Sequence, residues 1–405
     1  MAPAGDFPSL DAAIKAGADA VYFGVKGFNM RAGAKNFSVA EIGKVAAICK
    51  RAGVKSYITL NTIYYENELK KLERLIVKIA EAKIDAIIAW DFGAIALAKK
   101  HGVEVFLSTQ ASVANALSAA QYFKKFGIRR FVLARECSLG DIAKIKRGML
   151  EKFGKEAEIK IEVFAHGAMC VSQSGRCFMS TFACGKSANR GECMQPCRRE
   201  YHIEDANGNG FVVGNGYVLS PKDLCTIGFI EKVFAAGADS LKIEGRNRNP
   251  EYVFATVSAY RKLRDFYFAN RRKPNFAADF AKMKSDAIAE VSKVFNRGFS
   301  DGFFMGKPVG DWTSDGNKAT AKKRIVGHVV RFFPKISVAE ISIDNTPISV
   351  GDKIQIEGKN SGYTEVLVES MQIEGKNVQN APKGSNIGLK VPTPLKKADL
   401  VYILK

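Results

Sequence analysis

Nowhere in the 405 residues does an apolar run approach the ~18 consecutive residues that a membrane-spanning helix needs. The opening MAPAGDFPSL carries neither the basic nor the apolar region of a secretory leader. The expectation is a cytoplasmic chain with no membrane partner, whose thiols stay reduced. There is no HExxH helix and no GxSxG elbow, so the signatures of a zinc-activated water and of a serine nucleophile on a strand-to-helix turn are both missing. Acidic residues are also short: 41 Asp and Glu stand against 61 Lys and Arg, a formal net charge of +20.

That imbalance fits a polyanionic partner, because neutralisation of phosphates by Lys and Arg is the main source of nucleic-acid affinity. A lysine-rich surface kept for solubility is the plainer reading. The basic clusters (Lys124-Lys125, Arg129-Arg130, Lys144 to Arg147, Arg271 to Lys273, Lys322 to Arg324) are scattered, as a broad electropositive face would be and a localisation signal would not.

Up to about residue 250, short apolar runs alternate with helix-length amphipathic stretches such as Leu69 to Ala82 and Ser138 to Lys152. The runs are AVYFG at 20–24, YITLN at 57–61, AIIAWD at 86–91, VFLSTQ at 105–110, FVLARE at 131–136, IKIEVFAHG at 159–167 and SLKIEG at 240–245. Continuous apolar strands separated by helices indicate a parallel sheet covered on both faces. With the short Ala2 to Gly5 piece the count reaches eight, which favours an α/β fold of the (β/α)₈ barrel type over an open doubly wound sheet. The expected organisation is a barrel over 1–250, with a cysteine-rich insertion at 168–238 that includes a hairpin around NGNGFVVGNGYVLSP. A helical extension follows over 251–318. A small antiparallel β-barrel is expected over 319–405, where short strands alternate with glycine turns. The layout of that tail resembles the second domain of translation GTPases.

Five of the eight cysteines fall between Cys170 and Cys197. Six residues separate Cys170 from Cys177, fifteen separate Cys177 from Cys193, and three separate Cys193 from Cys197. Gly167, Gly175 and Gly191 would let the backbone wrap closely around a shared centre. Structural zinc usually takes two short Cys-x₂₋₄-Cys knuckles, and only the second pair fits. Iron–sulfur clusters accept more varied spacing, and buried free thiols are the bland alternative. Cys184 or Cys225 could replace a ligand, whereas Cys49 and Cys137 read as packing residues.

The run IEVFAHGAMCVSQSGRCFMS, with ANRGECMQPCRREY, SLKIEGR, the opening APAGDFPSLDAAIKAGADAVYFG, RAGAKNFS and FNRGFSDGFF, resembles the collagenase-like peptidase family and, within it, the branch of tRNA hydroxylation proteins. The resemblance spans nearly the whole chain. It implies oxygen-independent hydroxylation of a tRNA wobble uridine at C5, with prephenate as co-substrate. It also implies an iron–sulfur cluster, of the 4Fe-4S type, on Cys170, Cys177, Cys193 and Cys197. Ribosomal RNA is the substrate of a related branch. The clipped first strand and the extra Cys184 and Cys225 depart from the family pattern and leave the fourth ligand open between Cys197 and Cys225.

In a (β/α)₈ barrel the chemistry sits at the C-terminal strand ends. The polar residues expected there are Asn61, Asp91, Gln110, Arg135, Glu136, His166, Glu244 and Arg246. His166, Glu244 and Arg135 are the catalytic candidates, His166 as a proton donor or acceptor. Arg31, Asn61, Gln110 and Arg246 are the substrate-binding candidates, the guanidinium groups of Arg31, Arg135 and Arg246 suiting the two carboxylates of prephenate. Each has a plainer role as a salt-bridge or loop-capping group. Lys242 and Glu244, two apart on one strand, are expected to face inward and to pair with each other. Tyr22, Phe23, Phe28 and Trp90 lie near the expected mouth, core by default. A peptidase would need His166 and Cys170 to act as a pair.

Overall fold

The apolar runs become strands buried on both faces in the computed structural model, which describes every residue except 34, 203, 211–218, 314 and 315. All five residues of β2 and all four of β4 are buried, as a sheet covered by helices on either side requires. Strands β1 (Ala2–Pro3), β2 (Ala20–Gly24), β3 (Lys55–Leu60), β4 (Ala86–Ala89), β5 (Val105–Leu107), β6 (Arg130–Val132) and β7 (Lys160–Gly167) pair in parallel in chain order. β7 is a branch point. Its last residues run antiparallel to β8 (Asp223–Cys225), and its earlier ones run parallel to β9 (Ser240–Ile243). The backbone of Ile243 donates to the Met1 carbonyl at 3.1 Å, and the Tyr22 hydroxyl donates to the Ile243 carbonyl at 2.9 Å, so β9 also lies against the start of the sheet.

Helices α1 (Phe7–Lys15), α2 (Ile42–Arg51), α3 (Leu69–Glu81), α4 (Phe92–Lys100), α5 (Ala116–Phe126) and α6 (Leu139–Phe153) connect these strands. Asp6, Asp91, Asn115 and Ser138 cap α1, α4, α5 and α6, each accepting from the backbone N–H three residues on. Asp91, expected among the polar groups of the mouth, is thus occupied as a cap. In α3 the buried residues are Leu72, Leu75, Ile76 and Ile79, a single apolar stripe. These stripes and the outward faces of the strands make the main hydrophobic core. A separate inner cluster of Ala20, Tyr22, Tyr57, Ala86 and Ile88 lies on the opposite strand faces.

The stretch 168–238 holds α7 (Met179–Cys184), β8 and α8 (Ile230–Ala235). Most of the hairpin expected around NGNGFVVGNGYVLSP lies outside the described residues. α9 (Pro250–Asn270) and α10 (Phe276–Ser292) follow, separated at the expected Arg271–Pro274 break, and β10 (Phe299–Ser300) pairs in parallel with β8. β8 and β10 are additions that no apolar run announced, being three and two residues long.

The tail forms an antiparallel sheet of β11 (Lys323–Phe333), β12 (Val338–Ile343), β14 (Lys353–Gly358), β15 (Gly362–Leu367), β16 (Met371–Ile373), β17 (Lys376–Val378), β19 (Asn386–Lys390) and β20 (Leu400–Leu404). The short β13 (Ile348–Ser349) pairs separately with β18 (Asn380–Ala381). Its own core includes Val326, Ile341, Ile354, Ile387, Val401 and Ile403. The hydrogen-bonded path runs from β15 to β17, and among the described residues those two strands do not pair with each other. The tail is tied to α1 and α9. Lys15 donates to the Tyr363 carbonyl at 2.6 Å, Tyr363 N–H donates to Asp11 at 2.7 Å, and Lys323 sits between Glu251 at 2.8 Å and Glu357 at 2.5 Å. Among the described residues no helix is long and apolar enough to cross a membrane.

Candidate functional site

Alternation along the strands turns one set of side chains inward, and these line a cavity of about 110 Å³ at the C-terminal strand ends. Its floor is ionic. Glu162 of β7, wholly buried, accepts from Lys242 of β9 at 3.0 Å and from Arg130 of β6 at 2.5 Å. Burial works to raise the Glu162 pKa, yet the Lys242 and Arg130 charges bring it down to about 2. Burial dominates for Lys242, whose pKa falls to about 8 although Glu162 opposes the shift. The asymmetry is physical: the carboxylate has two cations, and the ammonium has one carboxylate that it must share. Lys242 also lies 4.3 Å from the centre of the Tyr22 ring. Lys242 and Glu244 both line the cavity, but the expected bond between them is absent. Side chains two apart on a strand share a face, and the nearest opposite charge comes from the neighbouring strand.

Above the floor stand three guanidinium groups. Arg246 donates to Asn29 at 3.0 Å and to Thr59 at 2.8 Å, and burial pushes its pKa down to about 10. Arg135 lies over the Phe164 ring at 3.9 Å and donates to the Ala168 carbonyl at 2.7 Å, while its buried Nε has no partner among the described residues. Arg31 reaches Glu244 at 3.5 Å. Burial would raise the Glu244 pKa, but Arg31, Arg248, Arg135 and Arg246 together hold it below the ordinary carboxylate value. Asn61 and Gln110 meet at the mouth, the Asn61 amide donating to Gln110 at 3.4 Å and the Gln110 amide to the Asn61 carbonyl at 3.0 Å. Of the described charged side chains that line the cavity directly, Glu244 alone is acidic, against Arg31, Arg135, Arg246 and Lys242, while Glu162 lies beneath the lining and pairs with Lys242. The wall is therefore suited to an anion.

The cysteine loop closes over this wall. Cys170, Cys177 and Cys193 line the cavity. Cys197 lies beside them: burial raises its thiol pKa, Arg198 opposes this, and the charges of Cys170, Cys193 and Cys177 raise it further. Gly175 and Gly191 have φ of +80° and +98°, and a Cβ on Gly175 would sit 2.7 Å from the Met30 sulfur. On Gly191 it would collide with the Asn29 carbonyl oxygen, so only glycine lets the loop lie this close to the mouth. The Asn189 side chain accepts the Cys177 N–H at 2.9 Å, and Arg198 donates to the Met169 carbonyl at 2.5 Å. Cys225 lies elsewhere, buried in the main core with Sγ 3.9 Å from the Tyr260 hydroxyl, and its pKa is raised by burial to about 11. Cys184 is exposed at the end of α7. Among the described residues no three His, Cys, Asp or Glu side chains are grouped to hold a single metal ion. A tetrahedral zinc would need its sulfurs within about 4 Å of one another.

His166 is a correction. A count of two from Glu162 through Phe164 would turn it inward, but the β7–β9 register shifts between Phe164 and His166. The extra residue re-aims the side chain outward. The imidazole packs among Tyr252, Tyr260 and Phe299, outside the cavity, and burial pushes its pKa down to about 3 against the pull of Glu244. It is buried in the core and is not among the residues that line the cavity with Cys170. Spacing along the chain did not disclose the Arg130–Glu162–Lys242 floor, Thr59 beneath Arg246, or Arg198 behind the thiols. Only the inward parity of Thr59, Glu162 and Lys242 was available as a signal.

The profile of peptidase family U32 matches residues 5–314. A protein named collagenase from Porphyromonas gingivalis is 39% identical over 99% of this chain and 96% of its own length. tRNA hydroxylation protein P of Helicobacter pylori is 36% identical over 76% of this chain and 72% of its own. A 23S rRNA 5-hydroxycytidine synthase of Escherichia coli is 33% identical over 77% of this chain and 48% of its own. The chain belongs to peptidase family U32.

Proposed function

We propose that the chain is an RNA-modifying enzyme that hydroxylates a tRNA wobble uridine at C5, with prephenate as the hydroxyl source or co-substrate and an iron–sulfur cluster of the 4Fe-4S type. The observation that carries this reading is the placement of three thiols, with Cys197 beside them, at a cavity walled by three guanidinium groups. The names of the Helicobacter and Escherichia relatives support RNA hydroxylation as the reaction. Cys170, Cys177, Cys193 and Cys197 would hold the cluster. The donor set fits, since a polynuclear centre spreads its ligands further than a single ion does. When bound, such a cluster supplies redox capacity beside the cavity.

In this reading Arg31, Arg135 and Arg246 bind the two carboxylates of the co-substrate, and the unpartnered Arg135 Nε offers a donor already stripped of water. Glu244 stays anionic and orients Arg31. Asn61 and Gln110 present amides at the mouth, where a base splayed out of its stack would enter. We take the sheet as a closed (β/α)₈ barrel over 1–250, followed by the helical 251–318 and a small β-barrel over 319–405, in a cytoplasmic protein.

The test is nucleoside mass spectrometry of separated tRNA and ribosomal RNA from a strain lacking its own uridine hydroxylases and supplied with this chain. Hydroxyuridine-derived nucleosides should return in tRNA with the wild type and not with Cys170→Ala. Their return in ribosomal RNA alone would move the substrate, and their return in neither would refute the reading. The collagenase name of the Porphyromonas relative favours proteolysis as the second reading. Collagen cleavage that survives removal of iron and is abolished in Cys170→Ala would restore it.

A further inference from the structure

Helix α7 has its amphipathic sense reversed. Its buried residue is Ser180, whose hydroxyl oxygen accepts the Met194 N–H at 3.1 Å. Phe178 and Phe182, by contrast, stand 63% and 88% exposed. Four residues apart, they share one face of the turn and meet edge to face with ring centres 6.4 Å apart. Met194 on the same loop is 50% exposed. Exposed apolar side chains gathered on one short loop mark an interaction surface. Phe178 follows directly on Cys177, which lines the cavity, so the pair of rings is one residue along the chain from that lining.

Charge selects the occupant. From Cys170 to Arg199 the chain carries five Lys or Arg and one Glu, within a molecule of net charge +20. Arg176, Lys186 and Arg199 are exposed, whereas Arg190 pairs with Glu68 and Arg198 donates to backbone carbonyls. A second copy would bring the same charge to the same face and be repelled. Unpaired RNA supplies phosphates for the cations and base faces for the rings. A paired helix supplies only the phosphates, because its base faces are stacked away.

We propose that Phe178 and Phe182 form a stacking platform for unpaired bases flanking the one delivered to the cavity. This rests on the RNA-hydroxylation reading and adds the part of the RNA that is gripped: a single-stranded loop. The test is fluorescence anisotropy of the full chain, prepared without air, with a labelled RNA hairpin carrying a seven-nucleotide loop and with a blunt duplex of the same stem. Phe178→Ala and Phe182→Ala should each weaken hairpin binding about fivefold or more, leave duplex binding within about twofold, and keep the wild-type circular dichroism. Phe182→Trp should retain hairpin binding. Hairpin binding unchanged by the alanines, or hairpin and duplex weakened equally, would overturn the platform alone. A wild-type dimer in sedimentation that the alanines dissociate would give the patch to a second copy and overturn it too. A wild-type chain that binds neither RNA would overturn the RNA reading itself and the platform with it.

Discussion

Glu162→Gln should be the most damaging single change at the cavity floor, and far worse than Lys242→Met. The Glu162 side chain is 1% exposed and that of Lys242 5%. Glutamine keeps the shape and removes the charge, leaving Lys242 without any other salt-bridge partner among the described residues. An uncompensated buried charge of this kind costs about 3–5 kcal/mol. In Lys242→Met the carboxylate keeps Arg130 at 2.9 Å and 2.5 Å and the Ser240 hydroxyl at 3.0 Å, and a desolvated ammonium is gone. The cost there should be about 1 kcal/mol or less. Thermal unfolding at neutral pH should show a midpoint lowered by roughly 4–7 °C in the first variant and by roughly 2 °C or less in the second. The double variant should recover part of the loss. The folded pKa of Glu162, about 2, lies below its ordinary 4.5, so its stabilisation is whole above that ordinary value and is lost as pH falls toward the folded one. The gap between wild type and Glu162→Gln should therefore close across that acid window. Equal losses from the two single variants, or a larger loss from Lys242→Met, would refute the account of the floor.

Alanine at Cys170, Cys177, Cys193 or Cys197 should bring iron and acid-labile sulfide in anaerobically purified protein down to background, and chelation should bleach the wild type. Cys184→Ser and Cys225→Ser should keep their iron, and an iron-free Cys184→Ser would break the ligand assignment. His166→Phe should hydroxylate RNA within about twofold of wild type, because the ring it replaces is neutral and packed among aromatics. A hundredfold fall in a folded His166→Phe would return that residue to the chemistry. Arg246→Lys should raise the co-substrate KM about tenfold or more with kcat little changed, since an ammonium cannot reproduce the fork fixed by Asn29 and Thr59. Unchanged KM would mean that the carboxylates bind elsewhere.

The parallel sheet was legible because burial on both faces leaves an unmistakable trace: AVYFG and AIIA have no polar position to hide. Strand ends were less so. ARE after β6 and STQ after β5 continue the apolar run in composition but fold as mouth loops, where Arg135 and Gln110 point into the cavity. β8 and β10 were invisible because three and two residues cannot show a period. Their pairing with β7 and with each other is set by tertiary contact.

At the site, spacing told which face a residue occupies and not which residue it meets. Lys242 and Glu244 do face the cavity together, yet Lys242 bonds Glu162, eighty positions earlier, and Glu244 meets Arg31, still further away. Opposite charges find one another across neighbouring strands, where sequence separation carries no information. His166 shows the converse failure. Parity is a counting rule, and one extra residue between Phe164 and His166 inverts it for everything that follows on β7. No glycine or proline marks the extra residue, Ala165. The first glycine comes after it, at Gly167, whose φ of +105° lets the chain pass the Glu244 backbone, where a Cβ would lie 2.7 Å from the carbonyl oxygen. One inserted residue thus turns the histidine into the core, and Gly167, two positions on, is where the chain leaves β7 for the loop that carries the thiols.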